Sequence, residues 1–293
     1  MLLGLIRLLR RIDNRVSRLA DKSSPEPFDP ALVRQMETAL HNLPAENEEA
    51  RQYLGKHIPR LARTLALAPP PGDTGRVLEL GCYMQITPLL KRVCGYREVR
   101  GAHYGPSGRV DSKVIHFPDG DFRCEIDHFD AECQSFPYPD AHFDLVIAGE
   151  IIEHMLHDPM RVLLEARRVL GEGGWLLITT PNIASLASLS KVLDARYHPG
   201  IFALYKRPGG EPDIGHMREY TAWELAETVK AAGFEIDQLF TTRIAEYEEK
   251  WPLLNLLSEH GFSTGNRGEQ SWCLARKRSS LPIDRYPWFL YSP

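Results

Sequence analysis

From Arg76 onward the chain alternates apolar runs of strand length with segments of helical period. No other feature constrains the fold as strongly. Parallel strands need long crossover connections, and helices supply them. Strands are expected at 76–80, 98–103, 122–126, 143–148, 174–180, 234–241 and 270–276, and helices at 86–94, 159–170 and 221–232. The pattern reads as an α/β fold: a Rossmann-like, doubly wound, mostly parallel sheet of seven strands. Several boundaries have a mechanism. Asp158-Pro159 is an N-cap followed by proline at the first helical position. Thr221 with Glu224 is a capping box, and Gly233 closes the helix that it opens. "VLGEGGW" is a glycine-rich stop before a strand.

The remainder of the chain is organised around this block. Residues 1–24 hold a basic amphipathic helix, and 25–72 a helical extension and a Pro-rich linker. The main domain covers 73–278, with an insert at 183–215 after strand five, and 279–293 form an aromatic tail. An insert at that place is expected to lie over the carboxyl ends of the strands as a lid for an acceptor. In the first helix Leu2, Leu5, Leu9, Ile12, Val16 and Leu19 share one stripe, with arginines over much of the rest. Three readings stay open for residues 1–20: packing on this chain or a partner copy, peripheral contact with an anionic membrane at the inner face, or a frayed end. The interrupting arginines argue against a signal peptide.

Composition excludes several classes. Hydrophobic residues at 43% and charged residues at 25% of 293 give a core that needs no staple. A net charge of −4 leaves no electrostatic footprint for nucleic acid, so none is expected as a partner. Five cysteines, an odd number without C-x-x-C spacing, read as reduced thiols of a cytoplasmic protein.

Two stretches carry chemistry. In "VLELGCYMQI" the end of a buried strand runs into Glu79-Leu80-Gly81, a turn suited to a nucleotide-like cofactor. In "GEIIEHMLHDP", Glu150, Glu153 and His154 stand at i, i+3 and i+4 and share one face if the segment is helical. Two carboxylates and an imidazole suit a divalent ion. His216 in "GHMREYT" is a fourth candidate, brought near by the fold.

The succession "VLELGC", "FDLVIAGEIIEHMLHDP", "RRVLGEGGWLLITTPN" and "HMREYTAWELAETVKAAGFEI" resembles the class I S-adenosylmethionine-dependent methyltransferases. The resemblance covers about residues 74–245 and extends to the strand near 270–276. Within that family, "HMREYT" with "TTPN" looks like bacterial enzymes of glycan and natural-product tailoring. The resemblance implies S-adenosyl-L-methionine as cofactor, with Glu79, Gly81 and Cys82 at its methionine end. It places His103 at the ribose, Tyr104 against the adenine face, and Asp130 or Glu132 with the Ala131 amide at the adenine edge. This sequence departs from the pattern in two places. Tyr83 and Gln85 stand where glycines are common, and His103 stands where an acidic residue usually takes both ribose hydroxyls. The alternatives are that His103 and Tyr104 merely end a strand, and that 130–132 is a solvated acidic loop.

The E-x-x-E-H arrangement with a distant histidine resembles the metal-dependent small-RNA 3′-end methyltransferases, and in part the O-methyltransferases of ubiquinone biosynthesis. That resemblance implies a divalent metal, magnesium or zinc, on Glu150, Glu153, His154 and His216. A metal-free His154 base, paired with Glu150 or Glu153, and a structural role are the other readings. A sugar hydroxyl is a very weak acid and needs such help, so the leading expectation is O-methylation of a saccharide or glycosylated metabolite. A phenol, lipid or carboxylate acceptor is the second. A binding protein of this fold that has lost its cofactor is the third.

Overall fold

The computed structural model of the chain describes residues 28–44, 47–195, 198, 200, 215–243 and 251–292. The basic helix expected within residues 1–24 lies outside them, as does most of the 183–215 insert. Two helices come first, α1 (Pro30–His41) and α2 (Glu48–Leu67). The α/β block follows with β1 (Arg76–Leu80), α3 (Thr87–Arg92), β2 (Glu98–His103), β3 (Val110–Phe117), β4 (Gly120–His128) and β5 (Phe143–Gly149). A short 3-10 turn at Ile152–His154 leads to α4 (Pro159–Val169), β6 (Leu170–Pro181) and α5 (Leu186–Asp194). The last elements are α6 (Ala222–Ala231), β7 (Phe234–Thr242), α7 (Trp251–Glu259) and β8 (Gln270–Lys277).

Among the described residues the strands form one eight-stranded sheet in the order β3-β4-β2-β1-β5-β6-β8-β7. The five strands from β4 to β6 are parallel, while β8 runs antiparallel between β6 and β7. The seven expected strands are present, and β3 is the addition. It pairs antiparallel with β4 through a tight turn, Phe117 opposite Gly120. It escapes sequence detection because Ile115 is its only buried side chain, so it shows no apolar alternation. The glycine-rich run at 171–174 lies inside β6. There the pairing with β5 jumps from Phe143↔Leu170 to Leu145↔Trp175, a bulge.

The sheet is covered on both faces, and its strands alternate between two cores. Val77, Leu145, Ile147, Leu177 and Trp272 face a cluster that includes Leu40, Leu54, Ile58, Leu61 and Leu65 of α1 and α2. Leu78, Val146, Leu176, Ile178 and Cys273 face the opposite cluster, with Leu163 of α4 and Leu225 of α6. Burial of a large apolar side chain stabilises by about 1.5–3 kcal/mol, so α1 and α2 belong to the fold's core. The caps form as read: Asp158 accepts from the Arg161 amide at 3.2 Å, and Thr221 and Glu224 cap each other. Among the described residues, no helix is long and apolar enough to cross a membrane.

Candidate functional site

The strand order reverses between β1 and β5, and their carboxyl ends lie side by side with Leu80 opposite Ala148. Open α/β sheets bind ligands outside such a switch point. The next residues, Gly81 and Glu150, line a cleft there with about 540 Å³ of open space, together with Tyr53 and Arg60 of α2, Glu79 and Tyr83. Gly81 has φ of +66°, and a Cβ at that place would meet Ile151 Cδ1 at 2.5 Å. The left-handed φ favours glycine, a Cβ would require the Ile151 methyl to shift, and the glycine leaves bare backbone at the cleft.

The loop after Gly81 turns without glycine at 83 or 85. The second left-handed residue is Met84, with φ of +61°. A residue with a Cβ there costs roughly 1–2 kcal/mol, offset by burial of the Met84 side chain in the core. Cys82 is also buried, while Tyr83 is 67% exposed as part of the cleft wall. Glu79 is buried and accepts from Thr87 Oγ1 at 2.5 Å. Burial pushes its carboxyl well above the usual range, and Cys82 beside it adds to the effect.

At the end of β2, His103 Nδ1 lies 2.9 Å from the Tyr104 carbonyl oxygen. A carbonyl only accepts, so Nδ1 carries the proton and Nε2 is left as an acceptor. The His103 ring lies edge-on to Tyr83 at 4.9 Å, and the Tyr104 ring is 77% exposed. Asp130 Oδ1 accepts the amides of Glu132 at 2.9 Å and Cys133 at 3.2 Å, shaping its own turn. Ala131 packs on the α4 and α6 side of the core. Glu132 corrects the expectation. Its carboxylate accepts the amides of Leu156, His157 and Asp158 at 3.0, 2.7 and 2.8 Å. It is turned into the chain, tying the segment before α4, and is not presented to an adenine.

The segment after β5 also differs from the expectation. Glu150 has φ of +56°, outside the 3-10 turn, so Glu150, Glu153 and His154 do not share a helical face. Glu150 Oε1 accepts from Thr179 Oγ1 at 2.8 Å and Gln270 Nε2 at 2.7 Å. Glu153 is buried, with Oε2 accepting from Thr180 Oγ1 at 2.9 Å and Oε1 without a hydrogen-bond partner among the described residues. Burial pushes its carboxyl well above the usual range, and the nearby Glu150 adds to this. His154 is exposed, and its Nδ1 lies 2.8 Å from the Gly215 main-chain oxygen. The expected His154–carboxylate pair is therefore replaced by a His154–carbonyl pair. His216 Nδ1 lies 2.7 Å from Glu219 Oε1. Glu153, His154 and His216 each offer an atom, all within 4.8 Å of one another. Glu150 falls outside that group, its side chain being directed to β6 and β8.

A family profile described as a methyltransferase domain matches residues 47–239, well over half of the chain. The chain belongs to this methyltransferase-domain family. A probable S-adenosylmethionine-dependent methyltransferase of Mycolicibacterium smegmatis is 32% identical over 117 residues, 39% of this chain and 37% of that protein. One of Mycobacterium tuberculosis is 30% identical over 167 residues, 56% of this chain and 50% of its own length. The chain thus matches about half or less of the length of these relatives. A solved S-adenosylmethionine-dependent methyltransferase of Methanosarcina mazei is 20% identical with a TM-score of 0.46, over 69% of this chain and 92% of the other.

Sequence reasoning missed four residues of the candidate site. Thr179 and Thr180 were legible as "TTPN" but only as a strand end, and successive strand residues point to opposite faces. Here both reach carboxylates. Gln270 meets the site only because β8 pairs antiparallel with β6, Pro181 opposite Gln270. Arg60 lies on a helix that reads as amphipathic packing. No local signal marks it.

Proposed function

We propose that this methyltransferase domain transfers the methyl group of S-adenosylmethionine to a hydroxyl oxygen, with a saccharide or glycosylated metabolite as the acceptor class. The tethered imidazole of His154 carries the proposal. Because Nδ1 donates to the Gly215 carbonyl, Nε2 keeps its lone pair, and the ring is exposed one short turn beyond the cleft-lining Ile151. A neutral imidazole held in one tautomer is a general base.

The cleft fits the cofactor. Gly81 presents bare backbone in the cleft lining, and the cleft lies at the switch point of the sheet. S-adenosylmethionine, when bound, supplies an electrophilic sulfonium methyl group. The roles assigned to this chain are then positional and acid–base. Glu79, Gly81 and Cys82 form the turn under the methionine end. His103 Nε2 accepts from one ribose hydroxyl, and the exposed Tyr104 ring supports the adenine with Asp130 and Ala131 at its edge. His154 Nε2 would take the proton of the acceptor hydroxyl as its oxygen attacks, and the bound cofactor would supply the methyl group and keep the bonding pair on its sulfur.

Glu153, His154 and His216 also fit a divalent cation. The buried Glu153 Oε1, unpartnered among the described residues, favours this reading, as do the two imidazoles whose Nδ1 atoms are already held by oxygen. Magnesium or zinc there would lower the pKa of an acceptor hydroxyl; His154 Nε2 would then be a ligand, so this second reading replaces the His154 base.

The deciding experiment is methyl transfer from labelled cofactor to saccharide, sugar-nucleotide, phenol, lipid and carboxylate acceptors, with and without divalent ion. Label in a saccharide hydroxyl, lost in His154→Gln, is expected. Transfer to a carboxylate that survives His154→Gln would replace the proposed acceptor class and remove the base.

A further inference from the structure

The C-terminal tail lies outside the matched methyltransferase domain and folds back onto the junction that carries His154. It is anchored first at the end of α6, where the Asp284 amide donates to the Ala231 oxygen at 2.8 Å. A single turn then starts at Pro287, whose oxygen accepts the amides of Leu290 at 2.9 Å and Tyr291 at 3.2 Å. That turn sets the Tyr291 ring edge-on to Tyr286 at 5.2 Å and packs Leu290 and Tyr291 on the α4 and α6 core. Phe289 lies against Trp223 at the start of α6, with ring centroids 5.3 Å apart.

The polar groups of the tail converge on Asp158. The Tyr291 hydroxyl donates to Asp158 Oδ1 at 2.6 Å, Arg285 Nη1 donates to the same oxygen at 3.1 Å, and Arg285 Nη2 donates to Oδ2. Capping α4 requires only the bond from the Arg161 amide. The guanidinium fork and the hydroxyl fix the position of Asp158 beyond what a cap needs. Asp158 closes the segment that begins at His154, and Glu132 holds the amides of that segment from the other side. The tail also reaches the partner segment. Arg218 Nη2 lies 3.5 Å from the Phe289 main-chain oxygen, and the Arg218 amide donates to the Glu153 oxygen at 3.2 Å. Both segments joined by the His154–Gly215 contact are therefore fastened to one stretch of tail.

We infer that Arg285 and Tyr291 are positioning residues for the His154 base: from the C-terminal tail they lock Asp158, and with it the segment that aims the imidazole. This role rests on the proposed base. The His154 side chain is exposed, so its aim depends on the chain that carries it. A reacting group displaced by about 1 Å loses on the order of 100-fold in rate.

Arg285→Gln, Tyr291→Phe and the double variant test this in the full chain, since all three keep Asp158 to cap α4. Turnover, calorimetric affinity for S-adenosylhomocysteine and nitrogen NMR of labelled histidines are measured on each. The His154 signals are those missing from His154→Gln, and they read which ring nitrogen carries the proton. Rates are referred to the fraction of chain that binds S-adenosylhomocysteine. The double variant is expected to lose about 10- to 100-fold in turnover while its S-adenosylhomocysteine affinity stays within about threefold. Its His154 proton should be divided between Nδ1 and Nε2. Each single variant is expected to lose less, and Arg285→Lys least, because it keeps the charge without the fork. An unchanged rate in the double variant would overturn the inference. So would an equal fall in turnover and affinity, or a lower rate with the His154 proton still on Nδ1, since the tail would then only support the fold. Transfer that survives His154→Gln would remove the base and this inference with it. A rate lost in His154→Gln yet kept in the double variant would remove only the inference.

Discussion

His154 Nδ1 and the main-chain oxygen of Gly215 lie 2.8 Å apart across 61 residues of sequence. The contact joins the segment after β5 to the segment before α6, and it sets which imidazole nitrogen is basic. Glu153 strengthens the same junction. Its main-chain oxygen accepts the amides of Met217 at 2.8 Å and Arg218 at 3.2 Å. His154→Gln is expected to lower turnover about 100- to 10,000-fold, the range for a general base. Affinity for S-adenosylhomocysteine should stay within about threefold. Single-turnover rates and calorimetry on the same preparation separate the two, and a parallel fall in both would make His154 a cofactor ligand instead.

Chelation tests the cation reading at Glu153, His154 and His216. Exhaustive treatment with EDTA is expected to lower turnover, with magnesium or zinc restoring it. His216→Ala should lose the restoration, because it removes one donor of a three-residue set. Elemental analysis of the purified protein gives a readout independent of turnover. A metal-free protein of full activity would remove the cation reading and leave His154 as the base.

Glu132 separates a structural carboxylate from a ligand-binding one. It accepts three backbone amides, those of residues 156–158. Glu132→Ala strands these donors and is expected to destabilise the fold by about 1–3 kcal/mol in urea unfolding. Cofactor affinity of the folded fraction should change less than about threefold. A tenfold loss of affinity at unchanged stability would return Glu132 to the adenine edge.

The contrast between Glu132 and Gly81 shows what the sequence could and could not reveal. Strands β1, β5 and β6 were legible because both faces are buried and their apolar runs are continuous. Gly81 is legible through the series of motifs that resembles the family, since "ELG" alone is common. Glu132 was not, since an acidic residue in a loop has the same local signature whether it meets amides or solvent. Spacing alone places Glu150 on a helical face. Its left-handed φ depends on the Glu150 amide donating to the Thr179 oxygen at 2.9 Å, a contact made by folding. Edge strand β3 and residues Arg60 and Gln270 carry no periodic signal, and tertiary pairing alone reveals them.

Gly81→Val combines two penalties, a left-handed φ and a collision with Ile151. It is expected to weaken S-adenosylhomocysteine at least 100-fold and to destabilise the fold by about 1–3 kcal/mol. Adding Ile151→Ala should recover the steric part of the stability loss but not the backbone part. Urea unfolding of the four chains in this cycle gives the coupling. Strict additivity would mean that Ile151 yields without cost.

Asp127 gives the fold a defined acid limit. It is 7% exposed on β4 and accepts from Arg100 Nε at 2.6 Å, Arg100 Nη2 at 2.9 Å and the Tyr138 hydroxyl at 2.7 Å. Burial alone would raise its pKa, but the Arg100 fork and Tyr138 outweigh it and hold the carboxyl below the usual range. A folded-state pKa below the unfolded value means that the unfolded chain takes up the proton first as pH falls. The contribution of Asp127 is therefore fully present above the unfolded value of about 3.9, and it is lost as pH drops through the folded value. Asp127→Asn keeps the shape and removes the charge. It is expected to cost about 2–3 kcal/mol near neutral pH, less than a fully buried pair because Arg100 is partly solvated. Melting temperatures of the two chains should lie well apart at about pH 7 and converge below about pH 4. A gap of constant width down to about pH 2 would show that Arg100 is held equally well by the neutral side chain, and that the ion pair contributes nothing beyond its hydrogen bonds.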